Sequence, residues 1–303
     1  MNIKIKGVIV PIITPFNGQG QLDTTATTRL VNYLVERGVN GLFPGGTTGE
    51  CPLLTLPERR LLAETVVEAA GRIPVIIHSG AITTADTIAL TRHAQQIGAH
   101  SVAVIPPYYF HYTEEALFCH YAAVAAAVPD FPVYLYNNPG VGNNNRLTFA
   151  LVSRLVAEFP NIVGMKDSSG SFELLTQLSY KQNGAFNTAS GGDGQILMGV
   201  AAGIDACVSG NANVVPELVV ALHHAASAGD LGLARKLQKK MDTVRQLLED
   251  GRDLSMFKAG LARRGLPVGE VRAPLLQVAE AIFEQRWQTL VDTLGIETVS
   301  AVS

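Results

Sequence analysis

Eight short β-branched runs recur along the chain with helical segments between them, at residues 7–16, 41–46, 74–80, 101–109, 132–139, 162–169, 186–192 and 206–210. Their near-continuous hydrophobicity marks strands buried on both faces, as parallel sheets require. The intervening segments carry helix signals. Residues 24–37 are amphipathic and stop at Gly38, Pro57-Glu58 opens a helix that stops at Gly71, and Thr113-Glu114-Glu115 opens another. Eight β-α units predict a (β/α)8 TIM barrel. An open doubly wound sheet usually has fewer strands and a glycine-rich dinucleotide loop after the first, which this chain lacks. A length of 303 residues suits one such barrel. No linker, charge block or low-complexity tract interrupts the pattern, and its character changes only after about position 225, beyond which it reads helical. The expected organisation is a barrel over residues 1–225 with a C-terminal helical region packed on it over 226–303.

Composition removes several function classes. A net charge of -3 leaves no basic footprint for nucleic acid and no polybasic membrane patch, so a small-molecule partner is expected. Cys51, Cys119 and Cys207 lie far apart, with no C-x-x-C pair, which suits a reducing cytoplasm better than disulfides or structural zinc. Met1 to Lys6 followed by Gly-Val-Ile-Val superficially resembles a signal peptide. Pro11 and Pro15 break that apolar run, and the segment reads as a first strand. No uncharged apolar stretch has the length of a membrane span. Among the seven histidines no pair has the spacing of H-E-x-x-H, and His223-His224 face different directions, so no metal is assigned.

In a barrel of this kind the functional face is built from loops at the carboxyl ends of the strands. The unusual residues gather at those ends: Gly45-Gly46-Thr47-Thr48-Gly49-Glu50, Pro106-Pro107-Tyr108-Tyr109, Tyr136-Asn137-Asn138-Pro139, Lys166, Gly191-Gly192-Asp193-Gly194 and Ser209-Gly210-Asn211. Lys166 is the most telling. Ile162-Val163-Gly164-Met165 delivers it on an apolar strand, where a charged ammonium is costly, so the neutral amine becomes a nucleophile able to form a Schiff base. Taken alone, a loop lysine paired with Asp167 is the plainer account; its neighbours at the other strand ends reverse that preference. Tyr136, one strand earlier, puts a phenol within reach of the lysine to move protons. The segment Gly45 to Gly49 offers close backbone approach at Gly46, several N–H donors and two hydroxyls, which suits a carboxylate. It lacks the Walker lysine of a nucleotide cradle. Asp193 either binds substrate hydroxyls or caps the following helix. Asp167 is expected to point away from the pocket, because adjacent strand residues face opposite sides. The aromatic cluster from Tyr108 to Tyr112 is too exposed in sequence context to be only core, and packing against another subunit is the preferred reading.

The ordered motifs Gly-Gly-Thr-Thr-Gly-Glu, Pro-Pro-Tyr-Tyr, Tyr-Asn-x-Pro-Gly and Gly-Met-Lys-Asp-Ser-Ser resemble those of the dihydrodipicolinate synthase and N-acetylneuraminate lyase superfamily across nearly the whole chain. The resemblance implies a (β/α)8 barrel with a C-terminal helical extension, a homotetramer of two tight dimers, and class I aldolase chemistry through a pyruvate Schiff base. It implies no metal and no organic cofactor. By the same resemblance Lys166 matches the Schiff-base lysine and Tyr136 the proton-shuttling tyrosine. Thr47 and Thr48 match the pair that holds the pyruvate carboxylate, with Thr47 also in a proton relay. Tyr109 matches the relay tyrosine that reaches the neighbouring subunit's site, and Gly191 and Val208 match positions lining the pyruvyl pocket.

Two departures bear on the substrate. The lysine-pathway synthases carry an arginine two residues after the proline of Tyr-Asn-x-Pro; here that place is Val141, so the bidentate clamp for a second carboxylate is missing. Arg146 lies further along, while Asn143-Asn144-Asn145 offers amides to hydroxyl groups. The sialic acid lyases resemble Gly-x-Asp-Glu on strand seven, whereas here Asp193 is followed by Gly194. The leading expectation is therefore an aldolase cleaving a 2-keto-3-deoxy sugar acid or a 4-hydroxy-2-oxo acid into pyruvate and an aldehyde. Dihydrodipicolinate synthase activity is the close alternative, and a keto-deoxy sugar acid dehydratase shares the imine. A non-catalytic sugar-acid sensor is the reading from a different class.

Overall fold

The computed structural model describes residues 4–181 and 184–295. The start of the first-strand reading, Met1 to Ile3, lies outside the described residues. Strands and helices alternate through eight units: β1 Gly7–Val10, α1 Thr24–Glu36, β2 Gly41–Leu42, α2 Leu56–Ala69, β3 Ile76–His78, α3 Thr84–Gln96, β4 Ser101–Val104, α4 Glu114–Ala126, β5 Val133–Asn137, α5 Phe149–Glu158, β6 Ile162–Asp167, α6 Phe172–Lys181, β7 Asn187–Ser190, α7 Ile196–Ala201, β8 Ala206–Val208 and α8 Pro216–Ser227. Three further helices follow, α9 Leu231–Leu247, α10 Leu254–Arg263 and α11 Glu280–Leu294. The strands pair in parallel in the order β2-β1-β8-β7-β6-β5-β4-β3, and a parallel bridge between Leu42 and Val75 joins the two ends. The expected TIM barrel with a C-terminal helical extension is therefore observed.

Local chemistry starts the helices where expected. The Asp23 carboxylate accepts from Ala26 N to open α1, Thr55 and Glu58 form a reciprocal capping box at α2, and the Thr113 hydroxyl accepts from Ala116 N at α4. Alternation along the strands splits the apolar residues into two layers. Val8, Val10, Val102, Val104, Leu135 and Met165 pack outward against the helices. Ile9, Ala103, Tyr134, Tyr136, Ala189 and Val208 fill the barrel interior with Phe43 and Ile105. The register of β5 against β6 shifts between Val133 and Tyr134. Gly164 sits at this irregularity, because a Cβ there would lie 2.5 Å from both Asn187 O and the Tyr134 ring. Beyond it Tyr136 pairs with Lys166, and Lys166 with Ala189, on the inner face. No helix among the described residues is long and apolar enough to cross a membrane.

Candidate active site

Lys166 lies near the carboxyl end of β6 with 7% of its surface exposed. Its Nζ stands 4.1 Å from the centre of the Tyr136 ring and 4.6 Å from that of Phe43. Those rings meet edge to face at 5.9 Å, and His78 from β3 meets Tyr136 the same way at 5.8 Å. The amine thus stands over aromatic rings from two strand ends, with His78 behind the Tyr136 ring and the small Ala189 as its β7 neighbour. Asp167, next in sequence, points the other way. Its carboxylate accepts from Ser169 Oγ at 2.8 Å and from Ser169 N, and the Asn137 amide lies 3.5 Å from both oxygens. It fixes the loop, as alternation along the strand requires.

The Tyr136 oxygen accepts from Asn138 Nδ2 at 3.0 Å and lies 3.3 Å from Thr47 Oγ1. Burial alone pushes this phenol up, but the Lys166 charge and the hydrogen bonds with Thr47 and Asn138 outweigh it and hold the phenol below its usual 10.0. The structure thus brings Lys166, Tyr136 and Thr47 together at one mouth.

The loop carrying Thr47 is held on every side. Gly45 adopts a left-handed φ of 67°, Thr14 Oγ1 donates to Gly49 O at 2.6 Å, and Gly49 N and Glu50 N donate back to Gly46 O and Thr47 O. A Cβ on Gly46 would lie 2.7 Å from the Phe43 ring. The backbone N–H groups of Thr47 and Thr48 find no acceptor among the described residues, which leaves two adjacent donors for an anion. Thr48 Oγ1 is 3.8 Å from where a Cβ on Gly210 would stand, at the end of β8 beyond the buried Val208.

Two contributors beneath this loop were not visible in sequence. His78 Nδ1 sits 2.8 Å from Gly45 O, a pure acceptor, which assigns the proton to Nδ1. Burial and the nearby Arg59 guanidinium keep this imidazole well below its usual 6.5, hence neutral. Arg59 is buried and donates to Gly80 O at 2.9 Å and His78 O at 2.7 Å, closing the end of β3. The available signal was a histidine inside an apolar strand run, at Ile76-Ile77-His78.

The remaining expected residues divide. Gly191 N extends the β6–β7 ladder by donating to Asp167 O at 2.7 Å, and a Cβ there would lie 2.2 Å from Ser168 Oγ. Asp193 caps no helix. Its Oδ2 accepts from Asn211 N and Nδ2, while Oδ1 is buried without a partner, and burial raises this carboxyl above its usual 3.8. Tyr109 stands apart: it is 76% exposed at φ 91°, and among the described residues its ring pairs with that of Phe110. Within one chain it does not reach Thr47 or Tyr136. Asn145, expected to face substrate hydroxyls, is buried and ties the aromatic loop through Pro107 O, Phe110 O and Tyr112 N, and Asn143 Nδ2 donates to Tyr109 O. Val141 is half exposed in the position expected for an arginine, and the charge of the exposed Arg146 acts on Asp167, on the outer face.

Among curated proteins, 4-hydroxy-tetrahydrodipicolinate synthase of Azoarcus sp. strain BH72 is 36% identical over 97% of this chain and 99% of its own length. An uncharacterized DapA-like lyase of Halobacterium salinarum is 38% identical over 89% of this chain and 88% of its own. Among solved structures, YagE of E. coli K12, determined in complex with pyruvate, superposes with a TM-score of 0.89 at 31% identity over 95% of this chain and 98% of that one. Wild-type sialic acid aldolase of Ruminococcus gnavus superposes with a TM-score of 0.90 at 28% identity over 96% and 98%. Residues 4–292 match the dihydrodipicolinate synthetase family over almost the whole length, and this chain belongs to that family.

Proposed function

We propose that this chain is an aldolase that cleaves a 2-keto-3-deoxy sugar acid or a related 4-hydroxy-2-oxo acid into pyruvate and an aldehyde. The coarser class, a pyruvate-dependent carbon-carbon lyase of class I, follows from the family. The observation that carries the reading is the position of Lys166 Nζ, 4.1 Å over a Tyr136 ring whose oxygen lies 3.3 Å from Thr47 Oγ1.

In this reading the free N–H groups and hydroxyls of Thr47 and Thr48 hold the carboxylate of the oxo-acid. Lys166 adds to the C2 ketone, and loss of water leaves an iminium whose positive charge sits between the Phe43 and Tyr136 rings. The C4 hydroxyl gives up its proton, the C3–C4 bond breaks, the aldehyde departs, and the electron pair enters the iminium as an enamine. Protonation at C3 and hydrolysis release pyruvate. Tyr136 and Thr47 manage the protons, joined by Tyr109 of a second copy of the chain in a dimer of dimers. Gly46, Gly191, Asp193 and Val208 shape the wall around the bound acid.

Synthase activity toward aspartate semialdehyde is the second reading, favoured by the names of curated relatives at 36% identity. Val141 ranks it second, because an apolar side chain there supplies no clamp for the acceptor's carboxylate. Incubation with pyruvate and borohydride tests the class: mass spectrometry is expected to find a reduced adduct on Lys166 and none in Lys166→Met. Absence of the adduct would place a sugar-acid sensor ahead of any enzyme. An aldehyde panel then ranks the substrates, and aspartate semialdehyde outperforming sugar aldehydes by a wide margin would put the synthase first and the sugar-acid aldolase second.

A further inference from the structure

The loop carrying Thr47 and Thr48 ends at Glu50, a non-glycine residue in the left-handed region at φ 57°. Its carboxylate does not reach water. Glu50 Oε1 lies 2.8 Å from Lys258 Nζ, with both side chains fully enclosed, and Oε2 accepts from Arg272 N at 2.8 Å. Lys258 belongs to α10, outside the eight β-α units, and its Nζ donates a directed hydrogen bond to Glu270 O at 2.7 Å while lying 4.2 Å over the Phe16 ring. Arg272 braces the arrangement from outside. Its guanidinium lies 4.3 Å from the centre of the same Phe16 ring and bonds the Glu58 carboxylate, Leu53 O and Gly20 O. Next to Lys258, the Phe257 ring packs 3.3 Å from where a Cβ on Gly210 would stand, the glycine that faces Thr48.

We propose that Lys258 is a positioning residue for the oxo-acid carboxylate: by fixing Glu50 it sets the direction of the Thr47 and Thr48 N–H groups, so helices outside the barrel determine the affinity for pyruvate. The inference rests on the reading of that loop as the carboxylate site. A buried ion pair is a poor device for stability alone, because apolar residues of the same volume fill such a space equally well. It is a good device for direction. The carboxylate is held at both oxygens from the same C-terminal segment, and only two residues separate Glu50 from Thr47. Glu50 N donates to Thr47 O at 3.1 Å, so a turn of the Glu50 backbone turns the donors with it.

The test uses the full chain and reads capture at Lys166 by borohydride trapping as a function of carbonyl concentration. Lys258→Met is expected to raise the half-saturating pyruvate concentration about 10- to 100-fold, the scale of a misplacement near one ångström. Trapping of hydroxyacetone, a ketone without a carboxylate, is expected to stay at the wild-type rate. The double variant Glu50→Gln/Lys258→Met removes both charges and keeps the volume, so its thermal midpoint is expected to return toward wild type while its half-saturation for pyruvate stays weak. Wild-type half-saturation in either variant, or a double variant that recovers pyruvate capture together with stability, would overturn the proposal and leave the pair a structural element. Equal losses for pyruvate and hydroxyacetone would overturn it as well. A wild-type protein that traps neither ketone would refute the class I reading itself, a separate result.

Discussion

Replacing Tyr136 by phenylalanine separates the chemistry of the phenol from the packing of its ring. The ring makes the contacts that matter for the fold, at 5.9 Å to Phe43, 5.8 Å to His78 and 4.1 Å to the Lys166 amine, and all of these survive the change. What disappears is one oxygen with two polar partners, Asn138 Nδ2 at 3.0 Å and Thr47 Oγ1 at 3.3 Å. Asn138 is half-buried and Thr47 exposed, so water replaces the lost partner and the stability cost is about 1 kcal/mol, or about 2 °C in thermal midpoint. Removing a positioned proton carrier costs about 100- to 10,000-fold in turnover, equivalent to about 3 to 5 kcal/mol of barrier. The assay is steady-state pyruvate release beside thermal unfolding on the same preparation. A variant within about threefold of wild-type turnover would refute the assignment of proton transfer to Tyr136. So would a loss of activity that only accompanies a large fall in stability.

Two other outcomes follow from the geometry. Gly46→Ala drives a Cβ to 2.7 Å from the Phe43 ring inside a filled barrel, so it is expected to destabilise the chain by about 1 to 3 kcal/mol and weaken pyruvate capture about tenfold; unchanged capture would show that the loop moves freely. The Arg272 guanidinium, with help from Thr55, lowers the Glu58 carboxyl from 4.5 to about 2. A depressed carboxyl stabilises the fold above its unfolded pKa and loses that contribution as the pH falls through its folded value. Glu58→Gln should therefore cost about 1 to 2 kcal/mol near neutrality, after solvent screening, and flatten the acid unfolding curve between about pH 4.5 and 2. An unaltered curve from chemical denaturation at several pH values would contradict this.

The eight strand runs were legible because burial on both faces writes itself into consecutive residues. Their ends were overread. Residues 7–16 form a ladder only over Gly7–Val10, and 41–46 only over Gly41–Leu42. The rest of each run is buried loop, apolar for the same reason but bent into the mouth of the barrel. Lys166, Tyr136 and Thr47 could be read from strand-end position because barrel geometry brings those ends to one face. The Glu50–Lys258 pair could not, its members standing 208 residues apart with no periodicity to join them. Its signal was present nonetheless: Met256-Phe257-Lys258-Ala259 sets a lysine among apolar residues, the same anomaly that singled out Lys166. Asn145 misled for the opposite reason. An amide in a polar loop looks free for ligand, and only the fold shows that carbonyls of the neighbouring loop have claimed it.

The sheet is thinnest where its two ends meet. Between β2 and β3 there is one bridge, with hydrogen bonds from Leu42 N to Pro74 O and from His78 N to Pro44 O. Phe43 and His78 stand on opposite sides of that seam, and the Tyr136 ring, arriving from across the lumen, touches both. The rings that surround the reactive amine are therefore also the clasp of the cylinder. Tailoring the cage for a new carbonyl would loosen the fastening that keeps the cylinder shut, which ties the range of tolerable substrates to the mechanical integrity of the wall.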